Sequence, residues 1–141
     1  MSEAPPDGRQ RMSEMPPGAR RVVLLSDDLI FSSRIEAIAK RLRLAFRRIS
    51  QLEAGAALDS PGGVLLVDLD AGIEAIRHAI DAARAGGQTE SSWSIWGFGS
   101  HVDAGGLRAL REAGTDQVWP RSAFVRLLEV SLHERFTNMS Q

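Results

Sequence analysis

From Arg21 onward, short unbroken apolar runs alternate with longer stretches of helical spacing. Val22–Leu25 (VVLL) and Val64–Val67 (VLLV) hold no polar residue, which suits strands covered on both faces of a parallel sheet. AFRRIS (45–50), SIWGFG (94–99) and QVW (117–119) read as further strands. The segment LIFSSRIEAIAKRLRL (29–44) places Ile30, Phe31, Ile35, Ile38 and Leu42 at helical spacing. Its Lys40, Arg41 and Arg43 fall near the C-terminal end, where the helix dipole favours cations. LEAGAALD (52–59) predicts a short helix, Pro61-Gly62-Gly63 a turn, and Ala71–Ala85 a helix with Ile73, Ile76 and Ile80 on one face. GGQTESS (86–92) reads as a loop and LRALREAG (107–114) as a helix stopped by Gly114. Ala123–Arg135 closes the pattern as an amphipathic helix.

Strand followed by helix, five times over, predicts an α/β fold with a parallel sheet and helices on both faces. The natural assembly is a doubly wound, five-stranded sheet of flavodoxin-like order 2-1-3-4-5. Residues 1–20 lack an apolar face and carry Pro5, Pro6, Pro16 and Pro17, so a disordered tail is expected before a domain spanning 21–141. MSEAPPDGRQR is followed by the similar MSEMPPGARR, which makes Met12 an alternative start.

Composition narrows the functional classes. The chain has 141 residues, the size of one domain, and is 43% hydrophobic and 25% charged. A net charge of -1 gives no general attraction for nucleic acid or membrane, and neither is expected as a partner. Without cysteine, thiolate metal sites, disulfides and cysteine nucleophiles are excluded. No apolar stretch reaches the roughly 20 residues of a membrane helix, and the N-terminus has no signal-like apolar region, so a cytoplasmic protein is expected.

The candidate chemistry sits at strand ends. The first strand runs into Asp27-Asp28 and the third into Asp68, and these strands are neighbours in the order 2-1-3-4-5. Carboxylates that converge need a cation, and Mg2+ held by Asp27, Asp28 and Asp68 is the simplest one. Either Asp27 or Asp28 alone also reads as a helix N-cap. Gly97-x-Gly99 has two glycines of a dinucleotide fingerprint but Val102 at the third place. His78, His101 and His133 show no ligand spacing, and Lys40, Arg41, Arg43, Arg47 and Arg48 read as solvated cations. Trp96 belongs to the core pattern, whereas Trp119 and Phe124 are candidate interface anchors, with burial in the core as the competing reading for both.

VVLLSDD and VLLVDLD resemble the response-regulator receiver family, whose first strand ends in an acidic pair and whose third ends in a phosphorylated aspartate. The resemblance runs from Arg21 to the last helix. It implies Asp27 and Asp28 as Mg2+ ligands, Asp68 as phosphoacceptor, and Arg121 in the position of the family's lysine. A histidine kinase or a small phosphodonor would supply the phosphoryl group, and a downstream effector would read the result. The sequence departs from the family's switch at several places. Gly99 stands where a Thr or Ser is usual, leaving Ser100 as a hydroxyl substitute, and Val118 replaces the aromatic residue of the fifth strand. Leu69-Asp70-Ala71-Gly72 follows Asp68 without the family's Met-Pro pair.

Three functional classes follow. One is a stand-alone, non-enzymatic receiver-like signalling module of two-component type, phosphorylated on Asp68 with Mg2+. Another is a pseudo-receiver adaptor that works without phosphorylation. The third is a flavodoxin-like domain that binds a nucleotide or another small molecule. In the first two the partner is a protein, and the fourth helix, fifth strand and fifth helix form a candidate homodimer face.

Overall fold

In the computed structural model, which describes residues 20–58, 62–85, 93–100 and 102–139, strands and helices alternate in the expected order. They are β1 (Arg21–Leu25), α1 (Leu29–Arg41), β2 (Ala45–Ile49), α2 (Ala54–Ala57), β3 (Val64–Asp68), α3 (Ile73–Arg84), β4 (Ser94–Gly99), α4 (Ala104–Ala113), β5 (Gln117–Pro120) and α5 (Arg121–Met139). The five strands are parallel and run β2-β1-β3-β4-β5, the order expected. Apart from Arg20, the expected tail lies outside the described residues, as do loop 86–92 and His101.

Element ends moved for local reasons. The first helix stops at Arg41 rather than at residue 44, because Arg43 adopts φ 60 and turns the chain into β2. The third begins at Ile73, since Gly72 at φ 99 separates it from a 3-10 turn over Leu69–Ala71. The last is longer at both ends than 123–135.

Alternate residues of each strand feed two cores. Val22, Leu24, Val64, Leu66, Trp96 and Phe98 face α1 and α5, and meet Phe31, Ile35, Ile38, Phe124, Leu128, Leu132 and Phe136. Val23, Leu25, Leu65, Val67 and Ile95 face α2, α3 and α4. A strand buried on both sides must be apolar throughout, which is why β1 and β3 read as continuous runs. Ile30, expected on the inner face of α1, is instead 79% exposed, because Phe31 and Ile35 take that face.

Phe124 is a core residue rather than an interface anchor. It opens the i, i+4 stripe of α5, is fully buried, and stacks on Phe98 with ring centroids 4.2 Å apart at 16°. Trp119 is partly buried at the β5 edge, edge-on to Trp96 at 5.4 Å. At the N-terminal ends of β4 and β5 Arg84 donates to the carbonyls of Trp93 (3.1 Å) and Gly114 (3.2 Å) and pairs with Asp116 (3.2 Å), tying α3 to these strands.

Truncating the stacked ring tests this packing. Phe124→Ala should lose about 3–5 kcal/mol in urea unfolding, whereas Val130→Ala, at a position exposed on α5, should stay within about 0.5 kcal/mol of the parent. Equal losses in the two variants would contradict the assignment of Phe124 to the core.

Candidate functional site

The β1–β3 register decides which side chains meet at the C-terminal edge. Val22 pairs with Val64 and Leu25 with Val67, so continuing by one residue sets Ser26 beside Asp68. Both residues fall on the α1/α5 face by the alternation of a strand. Asp68 is 1% exposed and Ser26 is fully buried. The Ser26 hydroxyl donates to Asp68 Oδ2 at 2.7 Å and accepts the N–H of Asp28 at 3.1 Å. The Ser26 carbonyl accepts from Arg48 at 2.9 Å, which fixes the backbone that aims this hydroxyl.

The other carboxylate oxygen takes two donors. Asp68 Oδ1 accepts the backbone N–H of Asp70 at 3.0 Å and Arg121 Nη2 at 2.6 Å. Arg121 is the first residue of α5, placed there by Pro120, which pairs with Gly99 at the end of β4. The same Nη2 reaches exposed Asp70 at 3.0 Å. The guanidinium lies over the rings of Phe31 (4.8 Å) and Phe98 (5.1 Å), so the aromatic cluster of the α1/α5 core supports the cation from beneath. A buried carboxylate without such a partner would cost several kcal/mol. Here charge, hydrogen bonds and platform are supplied together.

The residues expected from the sequence are distributed differently. Arg121 does reach Asp68. Asp28 is the N-cap of α1, its carboxylate accepting the N–H of Phe31 at 2.9 Å, and Asp27 is exposed. Among the described residues, no group of three His, Cys, Asp or Glu side chains is placed to hold a metal ion. Asp27, Asp28 and Asp68 are therefore not gathered into the expected three-carboxylate Mg2+ site. A hydroxyl that donates to Asp68 stands where a ligand would be needed, and a guanidinium already neutralises the charge.

Ser100 is not brought to the site. It is exposed, and its hydroxyl accepts the N–H of Val102 at 3.3 Å. Gly99 lacks a side chain because Leu69 occupies that space. A Cβ built on Gly99 would lie 2.8 Å from Leu69 Cδ2 and 2.9 Å from its Cβ. Leu69 also closes on Gly106 of α4, where a Cβ would stand 2.5 Å from it. Gly97 faces Leu110 in the same way, so the two glycines of β4 make room for side chains instead of cradling a phosphate. Ser26, Asp70 and Leu69 were not anticipated. Counting alternate positions from Val22 and Val64 would have found Ser26. Nothing local marked Leu69, whose role depends on a crossing between strands.

No protein-family model matches the chain, and no curated protein matches it. Solved structures do. A response-regulator receiver domain from Bermanella marisrubri superposes with a TM-score of 0.62 at 18% identity, covering 82% of this chain and 97% of that one. A response regulator from Hahella chejuensis gives a TM-score of 0.64 at 15% identity, covering 84% and 93%. A response regulator in red light signalling of R. palustris gives 0.51 at 13%, covering 80% and 92%. At these identities the fold is what is shared, and the chain has the fold of receiver domains.

A side chain at position 99 tests the Leu69 socket. Gly99→Ser should lose about 1–3 kcal/mol through overpacking, and the loss should shrink in a Leu69→Ala background. Additive losses, measured by urea unfolding in a double-mutant cycle, would show that Leu69 and position 99 are not coupled.

Proposed function

We propose that this chain is a pseudo-receiver: a signalling module that acts through protein–protein contact, in one Asp68–Arg121-paired state, without accepting a phosphoryl group. One observation carries the reading, the engagement of both Asp68 oxygens by Ser26, Asp70 and Arg121 in a site that is 1% exposed at the carboxylate. A carboxylate acts as a nucleophile only with a lone pair directed at the incoming phosphorus. Here three of its roughly four lone-pair sites are directed at protein donors. Arg121 would have to withdraw first, breaking a pair that is stacked on two rings.

The missing hydroxyl agrees with this. Receiver switching, as the resemblance implies it, needs a Thr or Ser at the end of the fourth strand. Gly99 and Leu69 fill that volume with hydrocarbon. A protein partner would meet the α4–β5–α5 face, where Trp119 is partly exposed at the sheet edge. A second copy of the chain is one such partner. The nucleotide-binding alternative loses its motif, since Leu110 and Leu69 occupy the space above Gly97 and Gly99. No helix among the described residues is long and apolar enough to cross a membrane.

Incubation with acetyl phosphate and Mg2+, followed by intact mass measurement, should leave the wild-type chain unmodified. A phosphoryl adduct on the wild type that disappears in Asp68→Asn would favour the phosphoacceptor reading instead.

A further inference from the structure

We infer that Ser26 and Arg121 together replace a divalent cation at Asp68, so that the charge of this site is neutralised internally and its stability is independent of Mg2+. The inference concerns the same site as the pseudo-receiver reading. It shares the Ser26 and Arg121 contacts with that reading and adds two observations, the register of β1 against β3 and the location of the acidic pair.

The acidic residues Asp27 and Asp28 begin one residue too late. Strand alternation directs residues 22, 24 and 26 of β1 to the face that residues 64, 66 and 68 of β3 share, and the residue at 26 is serine. Asp27 follows outside the strand and is exposed, while Asp28 commits a carboxylate oxygen to the start of α1. Asp68 therefore faces a hydroxyl across the strand pair rather than a second carboxylate. Mg2+ keeps several of its waters and takes one or two carboxylates whose lone pairs are free to face it. Here Asp68 is committed to the Ser26 hydroxyl, the Asp70 N–H and Arg121, and Asp70 shares the same guanidinium.

The same geometry explains why no ion is needed. Arg121 brings a permanent positive charge within 2.6 Å of Asp68 and 3.0 Å of Asp70. Guanidinium does not lose its proton at any physiological pH, and its flat face can lie on aromatic rings. Phe31 and Phe98 provide that surface at 4.8 and 5.1 Å. Arg48 holds the Ser26 carbonyl at 2.9 Å, so a second cation fixes the residue that supplies the hydroxyl. An ion placed against Asp68 would have to displace Arg121 and turn the Ser26 proton away.

The test compares melting temperature and tryptophan fluorescence in millimolar MgCl2 with NaCl at the same ionic strength. Wild-type protein should behave identically in the two salts. A saturable rise specific to Mg2+, absent in Asp68→Asn, would overturn the inference. The double variant Ser26→Asp/Arg121→Gln restores a carboxylate opposite Asp68 and removes the internal cation. It should gain a Mg2+-specific rise in melting temperature of about 5 °C. A folded double variant without that rise would also overturn the inference. If the double variant does not fold without Mg2+, recovery of folding on adding Mg2+, but not NaCl, is the expected result, and no recovery counts against it. The acetyl phosphate assay is separate: an adduct formed without any requirement for Mg2+ would end the pseudo-receiver reading and leave internal neutralisation standing.

Discussion

One buried carboxylate organises the working end of this fold. Asp68 terminates the third strand, in the middle of a five-stranded sheet, where solvent cannot reach it. A charge in that position must be paired and hydrogen-bonded, or it destabilises the protein by several kcal/mol. The pairing requirement reaches back into the core. Arg121 can meet Asp68 only if α5 begins at that point, and α5 is held there by Phe124, Leu128, Leu132 and Phe136 against the sheet. The ring of Phe98, on the strand next to Asp68, stacks on Phe124 below the guanidinium. Core packing and charge neutralisation are thus one arrangement on the α1/α5 face.

The opposite face of the same strand ends has a steric logic. Leu69 follows Asp68 directly and so points away from it, toward α4. It finds Gly99 and Gly106 open enough to admit it. The turn after β3 is therefore held from two sides, by an ion pair on one face and an aliphatic side chain on the other. Gly72, at φ 99, lets the chain leave this turn and enter α3.

The fold was legible because its signals are continuous and repeated. VVLL and VLLV permit almost nothing but buried parallel strands, and the alternation with helices fixed the architecture before any contact was known. The site was legible only in part. Asp68 was visible at the end of the third strand and Arg121 at the end of the fifth, yet Asp27 and Asp28 drew attention away from Ser26. An acidic pair is conspicuous in a sequence, whereas the phase of a strand decides which residue faces inward, and a shift of one position changes the face. Phe124 shows the converse error. Its i, i+4 relation to Leu128, Leu132 and Phe136 was present in the sequence and indicated burial. Leu69 could not be read locally, because its socket is made by residues on β4 and α4, about thirty positions further along the chain.

This construction of the site also bears on what kind of signal it can carry. A switch needs two states whose free energies lie within reach of the modification that selects between them, a few kcal/mol at most. Separating Asp68 from Arg121 strands a buried anion and also removes the cation from two aromatic faces, and breaking a buried pair alone costs about 3–5 kcal/mol. Leu69, on the other face, holds the turn separately through its close approach to Gly99 and Gly106. The two restraints act on opposite faces of one turn, so relieving either leaves the other in place. On the pseudo-receiver reading proposed above, a partner would meet a surface already set by folding, and variation in the signal would come from the abundance of this chain or from its partners.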